Sequence, residues 1–319
     1  MKFSELANIY DEISNARNDA SRVKLLSTAF ASADPNSLQA IAHFSFGELV
    51  PPELSGQLGI GPGAIRKQIA ELARKDVETI DDEVRQIGDM SEVAARYANG
   101  RDSLKVDDLW TLLRETIEKD KDRSAMLQRV FGNTTSSGVK YFTRMALNQM
   151  RLSVGLGTMK RSLAKAFGVS PSAVEHLYAM TNDIGLAAVQ ASKGEKALEH
   201  SGMQLFHPYQ FMNAHKIEDA DRIIPAGGTS KTNWILETKY DGVRLQIHIQ
   251  KQPWKVVLYS RRLNDDTGSM PDVVEALKKA WKGGDASPLS FIYQPNRTNC
   301  RHRSSRNYSA RLSLSITFF

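Results

Sequence analysis

A chain of 319 residues, 41% of them hydrophobic, is long enough to bury a sizeable core and, at ordinary domain sizes, to form two domains. No run approaches the roughly eighteen consecutive apolar residues of a membrane span, and the opening MKFSELANIYDEISNARND is amphipathic and acidic rather than signal-like, so an intracellular protein (cytoplasm or nucleoid, or nucleus in a eukaryote) with no membrane partner is expected. The one cysteine, Cys300, excludes a disulfide framework or thiolate zinc site within the chain, and most of the formal charge of +6 sits in residues 286–319, which hold five arginines and no lysine or acid.

Up to about residue 200, apolar residues recur at helical spacing, as in Phe3, Leu6, Tyr10 and Ile13 or Leu109, Leu112, Leu113 and Ile117, which predicts an all-α domain over 1–200. Two turns inside it stand out. Leu58-Gly59-Ile60-Gly61 leads into a helix carrying Arg66 and Lys67, and Val154-Gly155-Leu156-Gly157 leads into one carrying Lys160 and Arg161. Each exposes a helix start, whose unbonded N–H groups and dipole attract phosphate, beside a basic pair. Two such turns would grip two stretches of nucleic-acid backbone; the plainer alternative is tight turns between packed helices with solvated charges. Arg144 and Arg151, just before the second turn, are weaker candidates. A dinucleotide fold is rejected, because Gly155 and Gly157 follow a helical segment and Lys160 occupies the third glycine position. Gly168 is expected to end one helix and Ser170-Pro171 to cap the next, predicted to run to about Lys193.

Residues 201–232 carry Pro208, Pro225, Gly227 and Gly228 and are expected to form a linker; Ser230 stands where a phosphate-binding loop needs glycine before Lys231. From 233 to 292 the period changes to two. TNWILETK, VRLQIHIQ and WKVVLYS are predicted strands and PDVVEALKKAW a helix, the beginning of an α+β domain. The tail, 293–319, is rich in Ser, Arg and Asn, lacks Gly, Lys, Asp and Glu, and is expected to be disordered or the product of a frameshift near codon 293.

Chemistry concentrates in Glu237-Thr238-Lys239-Tyr240-Asp241-Gly242-Val243-Arg244, between two predicted strands. Asp-Gly favours a two-residue hairpin turn, so an ordinary hairpin is one reading. The other is catalytic. A lysine at a strand end attacks the α-phosphate of a nucleoside triphosphate when its surroundings lower its pKa. Gly242 would admit the nucleotide to the backbone, Asp241 would orient the lysine, and Arg244 would steady ribose or phosphate with its forked donors. Glu237 precedes Lys239 by two residues, shares its strand face, and could accept from an adenine amine.

The run Lys239-Tyr240-Asp241-Gly242-Val243-Arg244 resembles the signature of the nucleotidyltransferase superfamily of ATP-dependent DNA ligases and mRNA capping enzymes. Tyr259-Ser260-Arg261-Arg262-Leu263-Asn264-Asp265-Asp266-Thr267-Gly268, followed by Pro271-Asp272, is similar to a second ligase motif, and the helical half with its two glycine turns resembles the DNA-binding domain of the larger archaeal and eukaryotic replicative ligases. The resemblance covers about residues 1 to 291. It implies a multi-domain protein: an all-α DNA-binding domain, then an incomplete α+β adenylation domain. It implies ATP and Mg²⁺ as cofactors, nicked duplex DNA as substrate in replication, repair and recombination, and a sliding clamp as a further candidate partner; it carries no metal ligand over to this sequence, because the family's metal- or ribose-contacting glutamate has no counterpart after residue 293. Lys239 would carry AMP; Glu237, Arg244 and Arg261 would line the nucleotide pocket; Arg66, Lys67, Lys160 and Arg161 would touch DNA. His207-Pro208-Tyr209-Gln210-Phe211-Met212 departs from the usual ligase segment at that point and carries no site. In the family a strand such as Leu289-Ser290-Phe291-Ile292 continues into an acidic motif, whereas this chain reads Tyr293-Gln294-Pro295-Asn296-Arg297. The chain is therefore expected to be truncated, with a non-catalytic DNA-binding fragment as the alternative to a ligase. Glu237 and the helical half count against an RNA ligase or a capping guanylyltransferase.

Overall fold

A computed structural model describes residues 1–52, 54, 58–201, 205–209 and 243–282, together with the backbone of 286–293. The chain divides into two compact units, Met1–His207 and Pro208–Phe319. The strand expected at TNWILETK, Glu237, Lys239, most of the linker, and the tail from 294 lie outside the described residues.

The first unit is built from helices: α1 (Phe3–Ser14), α2 (Asp19–Ala31), α3 (Leu38–Phe46), α4 (Pro62–Ala73), α5 (Val77–Ile87), α6 (Met90–Tyr97), α7 (Val106–Glu118), α8 (Arg123–Gly132), α9 (Ser136–Ala146), α10 (Leu156–Phe167), α11 (Pro171–Thr181), α12 (Ile184–Ser192) and α13 (Glu195–His200). Phe3, Leu6, Ala7, Tyr10 and Ile13 form one fully buried stripe along α1, the pattern that makes a helix bury one face. Phe3 meets Phe44 edge-on at 5.9 Å, and Phe44 meets Trp110 at 5.9 Å, so α1, α3 and α7 share a core. Local chemistry sets many boundaries. Asn18, Asp76, Asp122, Thr135 and Ser170 each accept a hydrogen bond from a first-turn amide, a cap worth about 1 kcal/mol. Gly47 and Gly168 close α3 and α10 in the left-handed region, where glycine carries no Cβ penalty.

The helix expected from Pro171 to about Lys193 is two helices. Asn182 turns left-handed, with φ of 51°, and Asp183 then caps α12 by accepting from the Leu186 amide at 2.7 Å. Three consecutive side chains, Thr181, Asn182 and Asp183, offer the backbone alternatives to helical bonding, and together they outweigh the continuing apolar period.

The same break occurs earlier in the chain, at Gly88 and Asp89 between α5 and α6. It is one element of a duplication: α4–α5–α6 and α10–α11–α12 correspond at one constant offset. Gly61 matches Gly155 as N-cap, Arg74 matches Gly168 as left-handed C-cap, Asp76 matches Ser170 and Asp89 matches Asp183 as N-caps, and Gly88 matches Asn182. Buried Ile65, Ile69 and Ile80 correspond to buried Met159, Leu163 and Val174. The helix preceding each copy packs on the other copy: α3 lies against α12, and α9 against α6.

In the second unit, β1 (Val243–Gln250) lies between β2 (Lys255–Tyr259) and β3 (Ala286–Tyr293), antiparallel to both, with α14 (Pro271–Ala280) between β2 and β3 in sequence. Leu245, Ile247 and Ile249 share one face of β1 and pack with Val256, Leu258, Val273 and Leu277, so α14 covers that side. On the opposite face, Gln246 grips the Tyr209 backbone at both ends, accepting from its N–H at 3.1 Å and donating to its carbonyl at 2.6 Å.

Candidate nucleic-acid interface and nucleotide site

The duplication corrects the register of the two glycine turns. The sequence pairs Gly59 and Gly61 with Gly155 and Gly157, but the helix starts pair Gly61-Pro62-Gly63 with Gly155-Leu156-Gly157. Gly59 is a separate left-handed turn residue, with φ of 67°. In the correct register Arg66 and Lys160 are both the fifth helical residue, and Lys67 and Arg161 both the sixth. The flanking Ile65, Ile69, Met159 and Leu163 point into the core and so turn the basic pairs outward.

Among the described residues, nothing requires glycine at these starts. Gly61 and Gly155 are extended, at φ of −119° and −107°, a conformation open to any residue. A Cβ added at Gly61, Gly63 or Gly155 would meet nothing within 4 Å, and one at Gly157 only the Arg161 guanidinium at 3.9 Å. Gly63 and Gly157 lie inside the first turn, where glycine is a poor helix former.

The four basic residues differ in their partners. Arg66 pairs with Asp81 at 3.0 Å, and Lys160 pairs with Glu175 at 2.5 Å; these are corresponding pairs in the two copies. Arg161 pairs with Asp19 from α2. Lys67 is exposed and has no acidic partner among the described residues. Arg144, a weaker candidate from the sequence, is only 9% exposed. Its Nε donates to Ser91 Oγ at 3.0 Å and its Nη2 to Asp89 at 3.2 Å and Glu92 at 3.0 Å, with the guanidinium over the Tyr141 ring. That network ties α9 to α6 and removes Arg144 as a DNA contact. Arg151 also pairs with Asp89, at 2.9 Å, but stays at the surface. Burial would raise the Asp89 pKa; the Ser91 hydrogen bonds and the two arginines outweigh it and hold the carboxyl below its usual range.

Sequence reasoning missed the corresponding cluster in the other copy. His43 of α3 is fully buried, its Nδ1 2.7 Å from Glu48 Oε2 and its Nε2 3.0 Å from Asp183 Oδ1, stacked on Trp110 at 5.2 Å. Burial lowers the imidazole pKa, but hydrogen bonding and charge from Asp183 and Glu48 outweigh it and push it up to about 9. A Cβ on Gly185 would lie 2.5 Å from the imidazole Cδ2 and Nε2, so glycine is required for α12 to approach His43 this closely. Residues 43, 48 and 183 have no local spacing that would announce them. The cluster is an internal ion pair joining α3 to α12.

In the second unit, Arg244 is the second residue of β1, and Arg261 follows the end of β2. The pairing of Gln246 with Tyr259, continued by two residues, brings both arginines to the same end of the strand pair. Arg261 sits on a closed loop: the Ser260 amide donates to the Asn264 carbonyl at 2.9 Å, and the Asp266 amide to the Leu258 carbonyl at 2.9 Å. Thr267 Oγ1 accepts from the Leu258 amide at 2.9 Å and donates to Asp265 at 2.5 Å, clasping the loop base. These arginines suit the phosphates and ribose of a nucleotide. Among the described residues, no group of three His, Cys, Asp or Glu side chains could hold a metal ion, and no helix is long and apolar enough to cross a membrane.

The helical unit and the small sheet carrying Arg244 and Arg261 each overlap a stretch matched by a family model. The family model described as DNA ligase N terminus matches residues 2–164, just over half the chain, and the ATP dependent DNA ligase domain matches 212–288. The chain belongs to the ATP-dependent DNA ligase family, a family of enzymes. It is similar to the DNA ligase of Archaeoglobus fulgidus, 29% identical over 296 residues, covering 89% of this chain and 52% of that protein. It is similar to the DNA ligase of Pyrobaculum calidifontis, 30% identical over 303 residues, covering 90% and 51%. With the DNA ligase of Methanobrevibacter smithii the identity is 28% over 327 residues, covering 95% and 58%. The chain thus spans about half the length of the curated relatives it matches.

Proposed function

We propose that this chain grips nicked duplex DNA and activates a lysine for strand joining. Lys239 Nζ attacks the α-phosphorus of ATP and pyrophosphate leaves, forming a lysine phosphoramidate to AMP. The 5′-phosphate of the nick then takes the adenylate and frees the lysine, and the 3′-hydroxyl attacks that 5′-phosphorus with AMP as leaving group. Arg244 and Arg261 hold the nucleotide's phosphates and ribose, and Glu237 reads the adenine amine. Magnesium would enter with the triphosphate and neutralise its charge. Arg66, Lys67, Lys160 and Arg161 hold the DNA backbone without reading bases.

The observation that carries the DNA reading is the set of four glycines, 61, 63, 155 and 157, whose space and backbone would accept a side chain. A glycine that its own fold does not need is explained by an outside group approaching the backbone, and at a helix start with basic neighbours that group is phosphate. The testing experiment is intact mass after incubation with ATP and magnesium, for the wild type and Lys239→Ala. One added AMP in the wild type alone supports the reading. No adduct on folded protein, with salt-dependent DNA binding retained, would leave a DNA-binding module without adenylation.

A further inference from the structure

The two helix starts are matched in backbone, in the basic pair and in one acidic partner, but among the described residues a second carboxylate stands at only one of them. Asp19 opens α2, and its side chain reaches the first turn of α10. There Oδ1 accepts from Thr158 Oγ1 at 2.6 Å while Oδ2 pairs with the Arg161 guanidinium. Thr158 is the third residue of α10, so this carboxylate lies beside the end of the helix that favours anions. In the other copy Ala64 replaces Thr158, and Lys67, in the place of Arg161, has no acidic partner among the described residues. Arg161 also lies back over Gly157, its Nη2 3.9 Å from where a Cβ would be, and so covers part of the backbone left open there.

We propose that Asp19 is a built-in competitor for the phosphate at the second helix start, so that the start at Gly61 is open to DNA while the one at Gly155 must exchange its own carboxylate for a backbone phosphate. The proposal rests on the DNA reading above. The exchange is feasible because both groups face water: the side chains of Arg161 and Asp19 are 53% and 39% exposed, and ion pairs so exposed hold weakly. Arg161 need only rotate away from Asp19 to meet a phosphate, uncovering Gly157 as it does.

The test is the affinity of the full chain for a fluorescein-labelled nicked duplex, measured by anisotropy over a salt series. Asp19→Asn is expected to bind about three- to tenfold more tightly at low salt. The dependence of log K on log salt is expected to change by well under the roughly 0.9 of one phosphate contact, because Arg161 meets a phosphate in both proteins and only its release from Asp19 differs. In an Arg161→Gln background the substitution is expected to change neither quantity. Thermal unfolding checks that the variant folds, and Asp19→Ser, which also removes the charge and keeps a partner for Thr158, is measured if it does not. If the wild type binds and the charge-removing variant binds equally or more weakly, Asp19 orients Arg161 rather than competing, and the proposal is overturned while the DNA reading stands. If the wild type shows no salt-dependent binding, both fall together.

Discussion

The two copies of the three-helix unit solve one structural problem with different chemistry. Each begins its third helix on an aspartate cap, Asp89 or Asp183, and each aspartate faces a cation from the helix that precedes the other copy. In α4–α5–α6 the cation is Arg144 of α9; in α10–α11–α12 it is His43 of α3. A guanidinium is charged at every pH the fold survives, whereas an imidazole is charged only while its surroundings keep it so. Equivalent aspartates therefore tie each copy to the helix preceding the other, one through a permanent and one through a conditional ion pair, and substitutions of the two cations can be compared.

Removing either cation gives the largest expected effect. Arg144→Ala leaves Asp89 and Ser91 facing an empty space, and His43→Ala leaves Asp183 and Glu48 facing each other in the core. His43→Ala is expected to cost about 3–5 kcal/mol, the penalty of buried charges that have lost their partner, and Arg144→Ala less, about 2–3 kcal/mol, because Arg151 still pairs with Asp89 at 2.9 Å. Urea unfolding of both variants measures it. A loss below about 1 kcal/mol at either site would mean that water reaches that cluster.

Changing pH separates the copies. The His43 pKa is raised on folding, from 6.5 to about 9, so its contribution is fully present below about pH 6.5 and is lost as pH rises through about 9. The loss is on the order of 2–3 kcal/mol across that window, tempered by the two carboxylates that titrate with it. Arg144 contributes no such slope. Urea midpoints at pH 6.5 and 9.5 are therefore expected to converge in a His43→Gln variant, which keeps hydrogen-bonding groups and loses the titration. An undiminished slope in that variant would place the titrating group elsewhere.

Much of the helical unit was legible in sequence because apolar spacing and side-chain caps act over one or two turns: α1, the Ser170-Pro171 start and the basic pairs all follow from neighbouring residues. The duplication was not, because corresponding positions meet the same backbone demand with different residues. Arg74 and Gly168 both adopt the left-handed region, as do Gly88 and Asn182. Gly59 made matters worse by offering a false glycine pair two residues upstream of the true one. The buried ion pairs join residues far apart in the chain, so only packing reveals them. Of the proposed nucleotide site, Arg244 and Arg261 come to the same end of the strand pair through register, which a correct reading of β1 and β2 already implies.

The smallest effect bears most directly on function. Gly63 and Gly157 occupy the same first-turn position in the two copies, with helical backbone and room for a Cβ. Alanine at either site is expected to stabilise the fold by up to about 1 kcal/mol, since it restrains the unfolded chain and favours the helix. The same methyl group would hold a phosphate away from the helix start and weaken binding of nicked duplex about tenfold, near 1.4 kcal/mol. Opposite signs for stability and affinity are the diagnostic, because damage to the fold would lower both. The two sites should also differ from each other. At Gly63 the backbone is open among the described residues and the full loss of affinity is expected, whereas at Gly157 the Arg161 guanidinium already lies 3.9 Å from where the methyl group would be. Gly157→Ala should therefore cost less than Gly63→Ala in the wild type, and approach it once Asp19 no longer holds Arg161 in place.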